Sequence, residues 1–397
     1  MAFCIPRGFR AAGVHCGLKR NPNKPDVALI VSDRPSTAAG VYTQNVVCAA
    51  PVRLDRQRTP SDSIRAVVVN SGNANACTGE QGDRDALQMA EWAAQACGAD
   101  GSQVLVLSTG IIGELLPMDR IQRGIEAASS RLGSDEETFE TAARGLLTTD
   151  STHKIASDEV PLDAGPVRIL GIAKGAAMIG PNMATMLAVI LTDAVIDPQT
   201  AQQLLATATD DTFNCISVEG HVSTNDSVVL LANGASGTDV SAGREKDLFT
   251  TGLCHVCEDL ARAIPSDGEG ATHLITIEIH GCANRENARR IAKTVANSPL
   301  VKTAIAGADP NWGRIVSAAG YAGVQFDPMM VSLHVNGLLL YERGVPVPFD
   351  GAKVSQSIRD HRDTSIVLLF SEGSSSARFW TSDLTAEYVR LNADYHT

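Results

Sequence analysis

Nine short runs rich in Val, Ile and Leu recur along this sequence and set narrow limits on its fold. Runs of this length and composition predict β-strands. Most of them lack polar alternation, which is typical of strands in sheets that are covered on both faces. The predicted strands cover residues 28–32, 66–70, 104–107, 167–172, 187–192, 227–232, 274–280, 330–335 and 365–370.

Amphipathic segments of helical period lie between these runs. Pro198 directly after Asp197 is typical of a helix start, and we expect Gly98 and Gly133 to end helices. The predicted helices cover residues 83–97, 119–131, 135–146, 198–208, 244–264, 286–296 and 352–359. Strands that alternate with helices in this way indicate a layered α/β (α+β) protein, with central β-sheets flanked by helices.

Charge and cysteine content narrow the class of protein. With 33 Lys and Arg against 45 Asp and Glu, the net charge is −12, so we predict no nucleic-acid partner. No apolar stretch approaches the ~20 residues of a membrane span, so we predict no membrane association. Nine irregularly spaced cysteines favour a reducing compartment over a disulfide framework, and we expect a cytoplasmic protein.

The sequence does not indicate a metal site. None of the nine His falls in an HxxxH or HExxH pattern. Cys254 and Cys257 form one CxxC without a second ligand pair. A redox pair is an alternative for these two thiols, but packing on the face of the predicted helix 244–264 is favoured.

The segment AKGAAMIGPNMATML, residues 173–187, is the first candidate for chemistry. Small residues precede Thr185, which begins a predicted strand. If the peptide bond before Thr185 is cut, that residue gains an α-amino group with a pKa of about 7.7–8.0. Such an amine can take the proton of the neighbouring hydroxyl, so one residue supplies both nucleophile and base. The alternative is that Thr185 is only a β-branched strand residue.

Two further segments carry candidate groups. Thr109 and Gly110 follow the predicted strand 104–107, and a hydroxyl and backbone N–H groups at such a strand end could stabilise an oxyanion. The loop PSDGEGATHL presents Glu269, a carboxylate that could hold an amine, and it lacks the GxxxxGK[ST] spacing of a phosphate loop. The alternatives are an ordinary strand-to-helix turn and a solvated loop.

Two more polar loops, residues 67–79 and 307–315, are rich in Asn and Asp. Either loop could be a turn that is held by its own side chains.

Taken together, these motifs resemble the ornithine acetyltransferase (glutamate N-acetyltransferase) family of arginine biosynthesis. The resemblance runs from PRGFRAAGVHCGLK near the start to the last residue. The motifs that carry it are VVNSGNANACTG, LSTGIIGE, KGAAMIGPNMATML, STNDSVVLLANG, DGEGATHL, GADPNWGRI and NADYHT.

The resemblance implies a self-cleaving enzyme of the N-terminal-nucleophile type. The chain would cut itself between Ala184 and Thr185 into fragments 1–184 and 185–397. Thr185 would take the acetyl group of N2-acetyl-L-ornithine as an ester and pass it to L-glutamate in a ping-pong cycle. Thr109 and Gly110 match the oxyanion hole of the family. Its substrate-binding positions match Thr148, Lys174, Thr185, Glu269, Asn392 and Thr397.

The resemblance also implies partners. The two fragments would stay together, and two copies of each would form a heterotetramer. No cofactor is implied; acetyl-CoA is considered only as a second acetyl donor, which would make the enzyme bifunctional. Lys174 would face the α-carboxylate that both substrates carry, and Glu269 or the terminal carboxylate would face the amine of N-acetylornithine.

Some positions depart from the usual pattern of the family. His273 stands where Lys is common, His221-Val222 replaces a more acidic pair, and Ala176-Ala177 replaces Ser-Gly. These changes bear on substrate preference and processing rate, since none removes a reacting group. Two alternatives stay open: an amide hydrolase or aminopeptidase with the same self-made Thr nucleophile, and a non-catalytic small-molecule binder.

Overall fold

The computed structural model describes residues 3–180 and 186–394, and it is built on two β-sheets with helices packed against them. In this part of the chain the strands are β1 (Phe9–Val14), β2 (Val27–Tyr42), β3 (Ser61–Asn73), β4 (Val104–Ile111), β5 (Lys154–Val160), β6 (Val167–Lys174), β7 (Leu187–Thr192), β8 (Ile216–Ser217), β9 (Ser227–Ala232), β10 (Leu274–Cys282), β11 (Ser332–Val335), β12 (Leu338–Glu342), β13 (Val345–Pro346), β14 (Asp363–Leu369) and β15 (Ser375–Ser382).

Helices connect most of these strands. Over the same residues they are α1 (Ala50–Arg58), α2 (Gly79–Cys97), α3 (Met118–Ser129), α4 (Glu136–Leu146), α5 (Pro198–Asp211), α6 (Gly243–Ser266), α7 (Arg285–Ala296), α8 (Pro299–Ala306), α9 (Trp312–Gly320), α10 (Gly351–Arg359) and α11 (Ala386–Asp394).

The first sheet has the strand order β4-β3-β2-β9-β7-β6-β5, and β1 pairs with the first half of β2. Within it, β7 pairs antiparallel with β6 and parallel with β9, and β9 pairs antiparallel with β2. The predicted cleavage position lies between β6 and β7 in the chain. Strands from both sides of that position therefore share one sheet.

The central strands of this sheet are covered on both faces. Every residue of β7 and β9 is buried. Helices α5 and α6 pack on one face and α4 packs on the other. The unbroken apolar runs of the sequence thus form doubly covered strands, as predicted, because neither side of these strands meets water.

The second sheet has the order β13-β12-β11-β14-β10-β15-β8. Helix α7 packs on β10 and β15, while α6 contacts both β6 of the first sheet and β15 of the second. Residues of both sheets consequently share one apolar core around α6. The layered α/β class is confirmed.

Two of the three predicted helix ends are confirmed. The Asp197 carboxylate accepts a hydrogen bond from the Thr200 N–H ahead of α5, and Gly98 ends α2 in the left-handed region, both as predicted. The prediction for Gly133 is wrong, because α3 ends at Ser129. Gly133 instead pairs with Ala11 as an isolated bridge to β1.

Across the described ranges, none of the helices has both the length and the apolar character that crossing a lipid bilayer requires.

Candidate active site

A cavity of about 230 Å³ brings together six of the predicted site residues. They come from five separate segments of the chain, and they are Thr109, Gly110, Thr148, Lys174, Glu269 and Asn392. Ala184, Thr185 and Thr397 lie outside the described residues. Segments that are distant in sequence therefore converge on one place. This place is next to Gly180 and Met186, the described residues on either side of positions 181–185.

Thr109 and Gly110 form one wall of the cavity at the end of β4. The Thr109 side chain is buried, and its hydroxyl accepts a hydrogen bond of 3.1 Å from Lys174 Nζ. Gly110 has φ +136°, and a Cβ atom there would lie 2.2 Å from the carbonyl carbon of Gly72 on β3. Only glycine fits this approach, so bare backbone borders the cavity at this point.

The Asn-rich segment at the end of β3 supports that wall. The Ser108 hydroxyl donates to Asn70 Oδ1 at 2.6 Å, and Asn70 Nδ2 donates to the Asn73 carbonyl. From the opposite side, Asn225 Nδ2 donates to the carbonyls of Ala74 and Ser108. Buried amides thus fix the backbone on both sides of Thr109, which explains the Asn content that the sequence displays.

Asp150, which the sequence did not mark, is a buried acceptor behind the cavity that binds groups from three positions of the chain. Its carboxylate accepts hydrogen bonds from the backbone N–H groups of Thr148 (3.1 Å) and Gly175 (2.6 Å) and from Lys154 Nζ (2.8 Å). Burial alone would raise the pKa of Asp150, but the charges of Lys174 and Lys154, with these hydrogen bonds, outweigh burial and lower it to about 2. The buried carboxylate therefore fixes the backbone at Thr148 and Gly175 and offsets the charge of Lys174.

Lys174 is the buried cation of the cavity, at 3% exposure. Burial lowers the pKa of Lys174, and the negative charges of Asp150, Asp226 and Glu269 oppose that shift. Its register partner across the sheet is Leu187, the first residue of β7. The ammonium group is thus placed beside Thr109 at the end of β6, where it can receive an anionic group of a ligand.

The C-terminal helix contributes a second wall. Asn392 Nδ2, on α11, donates a hydrogen bond of 2.8 Å to Glu269 Oε2. Tyr388, one turn earlier on the same helix, also lines the cavity. Burial and the charges of Glu219 and Glu269 raise the pKa of Tyr388 to about 12. The tyrosine therefore presents a neutral hydroxyl between two acidic side chains.

Glu219 is a further cavity residue that sequence reasoning missed. Its Oε1 atom accepts a hydrogen bond of 2.7 Å from the Ile179 N–H, while its buried Oε2 atom has no partner among the described residues. Burial raises the pKa of Glu219 to about 7 against the effect of the Ile179 and His221 N–H groups. It belongs to a short polar turn without periodicity, so no sequence signal marked it.

Asp226 contacts Met186, the first described residue after position 185. Asp226 Oδ1 accepts a hydrogen bond of 3.1 Å from the Met186 N–H, and burial raises the pKa of this fully buried carboxyl well above its usual value. The backbone next to the predicted nucleophile is consequently anchored by a buried acid.

Two of the noted sequence features do not line the cavity. The loop 307–315 ends at the start of α9, where Asn311 Oδ1 accepts from the Arg314 N–H as a helix cap. His273 is buried, and its Nδ1 atom lies 3.0 Å from Asp383 Oδ2. Both therefore have structural partners of their own.

Chemically, the cavity combines groups of opposite kind. A buried ammonium and a hydroxyl stand together at Lys174 and Thr109, and two carboxyl groups, Glu219 and Glu269, line the same space. Such a cavity suits a zwitterionic small molecule, with donors available for a developing oxyanion.

Known proteins resemble this chain over nearly its whole length. Residues 10–397 match the model of the ArgJ family. The arginine biosynthesis bifunctional protein ArgJ of Rhodopirellula baltica is 46% identical over 99% of this chain and 96% of its own, and that of Symbiobacterium thermophilum is 45% identical over 99% and 98%. A crystal structure of the arginine biosynthesis bifunctional protein ArgJ from Bacillus halodurans is 38% identical, with a TM-score of 0.50, and covers 51% of this chain and 96% of the solved chain.

Proposed function

Because the chain belongs to the ArgJ family, we propose that it transfers the acetyl group of N2-acetyl-L-ornithine to L-glutamate, which yields ornithine and N-acetylglutamate for arginine biosynthesis. The observation that carries this proposal is the pairing of Lys174 with Thr109 in a cavity that also holds Glu269. Both substrates have an α-carboxylate for the ammonium group, and N-acetylornithine has a side-chain amine for the carboxylate.

The nucleophile in this proposal is Thr185, freed by self-cleavage after Ala184. Two observations on the described neighbours support it. Leu187 pairs with Lys174 in the sheet register, and the Met186 N–H is fixed by Asp226. The chain just after Thr185 is thus held at the cavity.

Transfer takes place in two half-reactions. The Thr185 hydroxyl oxygen attacks the acetyl carbonyl of N-acetylornithine, its α-amine takes the hydroxyl proton, and Thr109 with Gly110 stabilises the oxyanion. Collapse breaks the amide bond, and the proton leaves with the α-amine of ornithine. The amine of glutamate then attacks the Thr185 ester by the same route in reverse, so the hydroxyl regains its proton and N-acetylglutamate departs.

The proposal extends to assembly and location. Fragments 1–184 and 185–397 stay associated as two domains, two copies of each form a heterotetramer, and the enzyme works in the cytoplasm without a cofactor. The solved Bacillus halodurans chain supports the two-fragment form, since 96% of it corresponds to only 51% of this chain. Acetyl-CoA is proposed as a second acetyl donor to glutamate, in keeping with the bifunctional relatives.

The test is to incubate the purified protein with N-acetylornithine that carries a ¹³C-labelled acetyl group, plus unlabelled glutamate. We expect labelled N-acetylglutamate by mass spectrometry and two fragments by intact-mass measurement. Thr185→Ala should give one 41.8 kDa chain without transfer, whereas Thr207→Ala, at an exposed position of α5, should behave as the parent. A parallel assay with acetyl-CoA and glutamate tests the second donor.

Other results would point elsewhere. Labelled acetate and ornithine without N-acetylglutamate would indicate an amide hydrolase. An unbroken parent chain without an acyl adduct would indicate a binder and overturn the proposal.

A further inference from the structure

The proposed transfer poses an electrostatic problem for one cavity. N-acetylornithine brings a side-chain ammonium, whereas glutamate brings a side-chain carboxylate of nearly the same length. A fixed charge that favours one of these groups repels the other, and the effect grows as water is excluded. The inference below rests on the proposed function, because only that function requires both substrates in one place.

Glu219 has the geometry of a group that meets either side chain. It lines the cavity, and the Ile179 N–H holds its Oε1 atom at 2.7 Å, which fixes the direction of the carboxyl group. Its Oε2 atom is buried and has no hydrogen-bond partner in the described part of the chain. A buried acceptor of this kind is costly unless a ligand or a proton satisfies it.

The charges around Glu219 act on it in opposite directions. Lys302 on α8 favours its ionised form, and Glu269, in the loop after α6, disfavours it. His221, in its own turn, and Tyr388, on α11, are the other titratable side chains at this part of the cavity. Burial lowers the pKa of Lys302 to about 7. Burial is the largest influence on Glu219 and, against the hydrogen bonds from the Ile179 and His221 N–H groups, raises its pKa to about 7, where a small change in the surroundings changes its protonation.

Glu269 is the less suitable group for this role. Its Oε2 atom already accepts a hydrogen bond from Asn392 Nδ2 at 2.8 Å, so that oxygen is engaged within the protein. Of the two acids that line the cavity, Glu219 is the one with a buried oxygen that has no hydrogen-bond partner among the described residues.

We propose that Glu219 is a specificity-determining residue that binds the side-chain end of both substrates by changing its protonation state. As a carboxylate, it pairs with the ammonium group of N-acetylornithine. When ornithine leaves and glutamate enters, Glu219 takes one proton from solvent and donates it as a hydrogen bond to the side-chain carboxylate of glutamate. The proton returns to solvent before the next N-acetylornithine binds, so each cycle is balanced.

Calorimetry on the processed enzyme tests this directly. Ornithine and glutamate are titrated separately without an acetyl donor, so no transfer occurs, at pH 7 in buffers of different ionisation enthalpy. Because the pKa of Glu219 is about 7, glutamate binding at this pH should take up a fraction of a proton and ornithine binding should release a fraction of a proton. Glu219→Gln should remove both exchanges.

Kinetics provide the second readout. The amide of Glu219→Gln is neutral, keeps an oxygen for the Ile179 N–H and keeps a donor for glutamate. We expect KM for N-acetylornithine to rise about 10- to 100-fold, the scale of losing a charged hydrogen bond, while KM for glutamate stays within about twofold. Glu219→Asp, which can still titrate, should retain proton exchange. Glu278→Gln, an ion-paired acid outside the cavity, should match the parent.

Four outcomes would overturn the inference. Glu219→Gln that exchanges protons like the parent would exclude Glu219 as the titrating group. Loss of exchange in His221→Gln instead would assign it to the histidine. Equal rises in KM for both substrates would indicate a merely structural role. If the parent enzyme makes no N-acetylglutamate, the proposed function fails; if it does so without proton exchange, only this inference fails.

Discussion

Lys174 Nζ donates a 3.1 Å hydrogen bond to the Thr109 hydroxyl, which joins the buried cation of β6 to a polar residue of β4 that follows its apolar run. The two residues lie 65 positions apart in the chain, on strands that do not pair with each other. They meet because both line the cavity, and not because their strands are hydrogen-bonded to each other.

Removal of the Thr109 hydroxyl should affect the chemical step. Thr109→Val keeps the shape of the side chain but takes away both the oxyanion donor and the acceptor of Lys174. We expect kcat to fall about 10²–10³-fold. Thr109→Ser keeps a hydroxyl and should retain most of the rate in steady-state assays. A parent-like kcat for Thr109→Val would exclude the oxyanion role.

Replacement of Lys174 should affect binding of both substrates. Lys174→Met removes the charge that faces the shared α-carboxylate, so KM for N-acetylornithine and for glutamate should rise together, by about 10- to 100-fold. Lys293→Met, at a half-buried lysine of α7, is the matched control and should leave both KM values unchanged. An effect of Lys174→Met on only one substrate would contradict the assignment.

Two glycines at and just after the end of β4 allow the cost of backbone strain to be measured apart from the cost of steric overlap. Gly110 and Gly113 both have positive φ, so Ala costs about 1–3 kcal/mol of backbone strain at either. At Gly110 the new Cβ would also meet the backbone of Gly72, whereas nothing lies within 4 Å at Gly113. Gly110→Ala should therefore lower the melting temperature more and reduce kcat at least about 10²-fold. Similar losses in both variants would argue against the close approach.

Loss of the Asp150 carboxylate should destabilise the fold. Asp150→Asn removes the buried carboxylate that pairs with Lys154 and offsets the charge of Lys174, and it leaves Lys154 with Asp267 as its ion-pair partner, at an expected cost of about 3 kcal/mol in urea denaturation. Glu159→Gln breaks an exposed ion pair with Arg168 and should cost at most about 1 kcal/mol.

The pH dependence of this stabilisation follows from the lowered pKa of Asp150. Since that pKa falls from 3.8 to about 2 on folding, the stabilisation is complete above pH 3.8 and is lost as the pH falls towards 2. The difference between parent and Asp150→Asn should thus stay constant from pH 6 to 8. A difference that changes within this window would show that another group carries it.

The sequence predicted the strands whose residues are apolar on both sides. Residues 187–192 and 227–232 match β7 and β9 at both ends, because each run is wholly buried. Strand β5 was missed because its sequence, KIASDEV, is polar and mostly half-exposed. Helix α11 was missed because none of its residues is buried, so it has no apolar face to detect.

The site residues also divide into those that a sequence pattern marks and those that only the fold brings together. Six predicted residues line the cavity, and they were found through motifs that stand together in a known family. Asp150 and Glu219 carry no such signal. Their importance comes from burial and from neighbours more than 20 positions away, such as Gly175 and Ile179, which only the fold brings close.

The strand order of the first sheet has a consequence for how a cut molecule behaves. Strands β9 and β7, from the later half of the chain, lie between β2 and β6 from the earlier half. Neither half alone can complete the sheet, and the halves cannot part without opening two separate ladders of hydrogen bonds. If isotopically heavy and light enzymes were mixed after processing, no heavy fragment should therefore pair with a light one in the same sheet. Genes split at this point should yield enzyme only when both products fold together.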